Sequence, residues 1–148
     1  MKYLPTFVSL VATASAVDLY YHGTTNCDTG VAWVRCSNIN PDTCCAYNAG
    51  IEYLGSIAIR GIVQGWNIQL RGYTGGGNCA GLSTITGNGG ASHICKRGVY
   101  TGQGYNFVGK KRAEPAGNSE CQRPDTLGLP DGTEFDLAGL EDEDFRNM

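Results

Sequence analysis

A small, disulfide-stabilised, antiparallel all-β sandwich is the fold class this sequence predicts. Three observations carry it. Short runs alternate apolar and polar residues with a period of two, as half-buried strands do. Glycines, 22 in 148 residues, punctuate those runs as turns would. Seven cysteines, Cys27, Cys36, Cys44, Cys45, Cys79, Cys95 and Cys121, lie behind an N-terminal leader and read as a disulfide framework.

The chain is organised around residues 56–81. Ile57 and Ile59 share one face of a first run, and Trp66, Ile68 and Leu70 share one face of a second. Gly65 stands between the runs, so the pair reads as an antiparallel hairpin. All five apolar residues are expected to be buried together. A glycine run, Gly75-Gly76-Gly77, follows and Cys79 closes it.

In chain order, residues 1–16 come first, with Lys2, an apolar stretch and a small-x-small ending at Ala14-Ser15-Ala16. This pattern predicts a cleaved signal peptide, too short to span a bilayer as a helix, and a secreted, extracellular protein without a membrane span. Ala32-Trp33-Val34 predicts a strand, and Tyr20-Tyr21-His22 an edge strand. Asn38, Asn40, Pro41 and Asp42 mark a turn. Cys44 and Cys45 are neighbours whose side chains diverge in an extended chain, so they are expected to bridge to different partners. Residues 82–90 read as a surface loop, 91–95 as a strand, and 98–108 as a second hairpin around Gly102 and Gly104. Pro130-Asp131-Gly132 predicts a third hairpin within residues 127–137. Beyond it an acidic stretch offers a short helix at most, and residues 142–148 are expected to be disordered. Seven is an odd number, so one thiol has no partner within the chain. At least two bridges are expected among the first six cysteines.

Composition divides the chain. The formal net charge is −3, but residues 131–148 alone carry seven acids against Arg146. This is not the strongly basic balance of a nucleic-acid binder. Lys110-Lys111-Arg112 precedes a stretch containing Pro115, Gly117 and Ser119. The expected organisation is a β domain at 17–112, then a linker, hairpin and acidic tail at 113–148. Lys111 and Arg112 form a candidate processing site resembling those cut by kexin-type proteases.

Two resemblances add to this reading. Ser56, Ile57, Ile59, Gly65, Trp66, Ile68, Leu70, Tyr73 and Gly81 resemble one half of a βγ-crystallin motif, with Cys79 where that family often has an aromatic. The resemblance implies a Greek-key arrangement. It does not extend to the calcium site of microbial members, because only Glu52 and Ser56 offer side-chain oxygens there and calcium needs about six to eight. The layout is also similar to small cysteine-rich secreted proteins of filamentous fungi. The shared features are the leader, Cys44-Cys45, the Trp-bearing run, the glycine loop with Cys79, and an ending from Arg123 to Gly132. Some of those are effectors acting on a host, and the resemblance implies a part in virulence.

No catalytic constellation stands out, and no cofactor or metal is expected. Cys-x-x-Cys is absent and His22 and His93 are isolated, so a zinc site lacks its spacing. A ribonuclease needs a general base, a general acid and a cation for the phosphate; His22, His93, Glu52 and Arg71 are the residues of those types. The function expected is therefore a secreted, non-enzymatic interaction protein, a host-directed effector or antimicrobial toxin. Its partner would be an extracellular or host protein or a surface glycan. The alternative is a small secreted hydrolase of ribonuclease type.

Overall fold

The protein is an antiparallel β-sandwich, described here by a computed structural model covering residues 16–47, 54–77, 79–109 and 121–147. The leader, the Lys111-Arg112 site and Glu52 lie outside the described residues. The strands are β1 (Val17–His22), β2 (Trp33–Ile39), β3 (Cys45–Ala46), β4 (Ser56–Arg60), β5 (Ile68–Tyr73), β6 (Leu82–Gly87), β7 (His93–Arg97), β8 (Gly102–Phe107), β9 (Thr126–Gly128) and β10 (Glu134–Asp136). A short helix, α1 (Asp142–Arg146), follows. One sheet has the order β10-β9-β2-β1-β4-β7, and the other β3-β8-β5-β6. Among the described residues no helix is long and apolar enough to cross a membrane.

The core forms where the two inner faces meet. The six-stranded sheet contributes Leu19, Tyr21, Val34, Cys36, Ile57, Ile59 and Ile94; the other contributes Ile68, Leu70 and Tyr105. Buried hydroxyls are satisfied there: Tyr21 donates to the carbonyl of Cys45 at 2.6 Å and Tyr105 to that of Ile39 at 2.9 Å. Burial raises the pKa of both phenols, so each remains a donor.

The alternation in residues 56–72 located two strands, but they do not form the expected hairpin. β4 pairs with β1 and β7, and β5 pairs with β6 and β8. The chain between them crosses from one layer to the other. Ile62, 5% exposed, pins this crossing in the core, and a turn closes with the Trp66 amide donating to the carbonyl of Val63. Period two reports which face of a strand is buried; here the two apolar faces meet across the sandwich rather than side by side. Trp66 lies outside both strands and is only partly buried, its ring edge-on to Phe107 at 5.0 Å. Trp66→Ala is therefore expected to cost about 2 kcal/mol in urea denaturation, below the range for a fully buried ring. An unchanged midpoint would contradict that packing.

Four other expectations are corrected. The stretch with Tyr20, Tyr21 and His22 is not an edge strand: β1 lies between β2 and β4. Residues 82–87 are a strand rather than a loop; β6 is an edge with exposed Leu82 and Ile85, so it lacks a buried apolar face to announce it. The second hairpin is a single strand, β8. Its glycines make room instead of turning the chain: a Cβ at Gly102 would lie 2.9 Å from the sulfur of Cys79, and one at Gly104 2.9 Å from the carbonyl oxygen of Thr43. The acidic stretch folds into α1 because Phe145, 6% exposed, docks against Leu137 and meets Tyr47 edge-on at 6.0 Å. The third hairpin forms as expected. Its strand β9 extends the six-stranded sheet by pairing with β2.

Three disulfides brace the fold: Cys27–Cys95, Cys36–Cys45 and Cys44–Cys79. Cys36 and Cys45 join the two sheets through the core. Cys44 and Cys45 do take different partners, and Cys121 is the free thiol. Cys121 leads into a segment held at both ends, since Gln122 exchanges backbone hydrogen bonds with Cys44 and Ala46, and the Asp125 carboxylate accepts from the Ser37 amide and hydroxyl.

Candidate binding face

Because Leu19, Tyr21, Cys36, Ile57 and Ile59 turn inward, their neighbours Tyr20, His22, Arg35, Ser56, Ala58 and Arg60 stand on the outer face of the six-stranded sheet. The loop of residues 23–32 folds back over part of that face. Three contacts fix it. Cys27 is bridged to Cys95, the Cys27 amide donates to Ser56 Oγ at 3.1 Å, and Ser56 Oγ donates to the Thr24 carbonyl at 2.6 Å. Beneath this roof His22 and Ser56 are fully buried. Neither ring nitrogen of His22 has a well-formed hydrogen bond. Burial, assisted by the nearby Arg60 charge, lowers the His22 pKa to about 4.

Beside the roof is an aromatic and arginine cluster. Tyr20 stacks on His22 at 5.6 Å and lies 5.3 Å from Trp33. The guanidinium carbons of Arg35 and Arg60 stand 5.8 and 5.1 Å from the centre of the Tyr20 ring, within cation–π range. Trp33 lies flat against β9, and Gly128 allows it: a Cβ there would be 2.0 Å from the indole. Gly128→Ala is expected to displace Trp33 and cost about 2 kcal/mol, as overpacking does. Unchanged tryptophan fluorescence and thermal midpoint would refute this.

The two arginines differ. Arg35 donates to Ser37, Tyr20 and Thr126 and pairs with Glu134 at 3.5 Å. Arg60 donates to the Cys27 carbonyl, and among the described residues it has no carboxylate partner. It forms part of the wall of a pocket of about 460 Å³ between the loop and strands β4 and β7. The loop contributes Asn26 and Cys27, β4 and its end Ala58, Arg60 and Gly61, and β7 and its approach Ser92, His93, Ile94 and Cys95. Arg60 and His93 are directly opposite in the β4–β7 register.

The three ribonuclease residues that are described, His22, His93 and Arg71, are not brought together. His22 is sealed under the loop, exposed His93 is on the pocket rim, and Arg71 is on β5 in the other sheet, donating to Asn106 at 3.1 Å. Among the described residues no group of three or more His, Cys, Asp or Glu could hold a metal ion. Sequence reasoning missed Arg60 and the pocket. The available signal was an arginine on the polar side of the best alternating strand, directly before a glycine.

A family model, ARB_05566_N, described as an N-terminal domain, matches residues 18–125, and the chain belongs to that family. No curated protein and no solved structure matches it.

Proposed function

We propose that this ARB_05566_N-family protein is secreted and works by binding rather than catalysis, as a host-directed effector or antimicrobial toxin. Its contact surface in this reading is the outer face of the six-stranded sheet. The observation that supports it is the half-buried trio Tyr20, Arg35 and Arg60, backed by buried Trp33, beside an open pocket. Aromatic and arginine side chains give large contact area at low entropic cost and are enriched where proteins bind partners. Secretion is supported by the leader pattern and by three disulfides in a small β domain. The likeness to fungal cysteine-rich secreted proteins supplies the biological setting. The βγ-crystallin likeness enters only as kinship of two-layer β architecture, since β4 and β5 part to different sheets.

The test applies purified, oxidised protein to plant tissue and to microbial cultures, beside a Tyr20→Ala variant and an RNA-cleavage assay. A tissue response or growth inhibition that weakens in the variant supports the reading. Catalytic turnover of RNA, or no response from either system, overturns it.

A further inference from the structure

We infer that the pocket between the Cys27 loop and strands β4 and β7 binds an oxyanion: a carboxylate or phosphate on a small ligand, or on the end of a larger one. The inference deepens the reading of the outer face as the contact surface. Its first support is the state of Arg60. A part-buried guanidinium gives up hydration and normally recovers it from a carboxylate. Arg35, on the same face, does so with Glu134 and three hydroxyls. Arg60 has one backbone carbonyl and the face of Tyr20. Asp18, opposite Arg60 in the β1–β4 register, is engaged elsewhere, accepting from the Asn38 amide at 3.0 Å.

The second support is the lining. None of its lining residues is acidic; the Asn26 side chain is hydrogen-bonded to the Asp28 carboxylate just outside the lining, and Arg60 is joined within it by His93 and Ser92. These are the donor types that encircle a carboxylate or phosphate. The Ser92 backbone is fixed by its carbonyl, which accepts from the Ile62 amide at 3.0 Å, and the Cys27–Cys95 bridge holds the opposite wall. The backbone of both walls is therefore held in place, and Arg60 is held by the Cys27 carbonyl and the Tyr20 ring, which lowers the entropic cost of binding. About 460 Å³ suits a ligand of monosaccharide or disaccharide size, within the usual range of small-molecule sites.

The test titrates the oxidised, isotope-labelled protein with three probes, galacturonic acid, inorganic phosphate and galactose, following amide and side-chain resonances. The expected result is millimolar binding of at least one of the two anions, with shifts centred on Asn26, Arg60 and His93 and none with galactose. Shifts with galacturonic acid alone assign a carboxylate ligand, and shifts with phosphate alone a phosphate ligand. Arg60→Gln should weaken binding at least tenfold, and His93→Asn, at an exposed site where misfolding is not at issue, about threefold. Arg97→Gln removes the same charge from the exposed far end of β7 and should leave binding unchanged. Equal binding by Arg60→Gln and wild type, response to galactose, or the absence of shifts in the pocket would overturn the inference. If Arg60→Gln keeps full activity on tissue or microbes while Tyr20→Ala loses it, the pocket fails and the binding face stands.

Discussion

Replacing Cys27 and Cys95 together by serine is expected to destabilise the protein by about 4 kcal/mol, because this bridge closes the longest loop, with a sequence separation of 68. The Cys36–Cys45 bridge, at a separation of 9, would be worth about 3 kcal/mol on the same entropic basis. The Cys27–Cys95 variant has a second, local effect. Without the bridge the loop over His22 and Ser56 keeps only its hydrogen bonds, and the pocket loses a wall. Urea denaturation gives the stability change, and hydrogen exchange at position 27, Ser56 and Ile57 should accelerate more than at Leu70 in the other sheet. A variant as stable as wild type, with an equally protected loop, would show that the bridge constrains nothing.

Acid should destabilise the protein through His22. Its folded pKa, about 4, lies below the ordinary value of 6.5, because the buried ring disfavours the charged form. The unfolded chain therefore takes up this proton first as pH falls. Stability from this group is complete above pH 6.5, declines below it, and levels off below about 4. The loss by pH 4 is about 3 kcal/mol, taking 1.36 kcal/mol per unit. Carboxylates also titrate in this window, so the measurement is a difference: wild type against His22→Phe, by denaturant at pH 7 and pH 4. Wild type should lose about 3 kcal/mol more than the variant. Parallel losses would show that His22 is not held neutral by the fold.

Much of the fold was legible because strands with one buried face announce themselves. Ile57, Ile59, Ile68 and Leu70 were recognisable from alternation alone, and all four lie in the core. Which strand neighbours which was not legible, since the same alternation serves a hairpin and a crossing between sheets. β6 was missed because Leu82, Ser83, Ile85 and Gly87 are all exposed, leaving no period to detect. A short helix in the acidic stretch was allowed for, but its ordered docking was not legible: a single residue, Phe145, anchors α1, and one apolar side chain has no periodicity. The pocket depends on Asn26, Arg60 and His93 meeting across three distant segments, which only the Cys27–Cys95 pairing and the β4–β7 register bring together. Two histidines, by contrast, looked chemically notable in the sequence, and burial separates one of them from any solvent-borne substrate.

The adjacent cysteines make oxidation sensitive to strand register. Cys45 faces the core toward Cys36, while Cys44 turns the other way toward Cys79 in the glycine loop. A slip of β3 by one residue would exchange their directions and put each sulfur before the wrong partner. Native pairing is thereby tied to register: both bridges fit together only when β3 is aligned on β8.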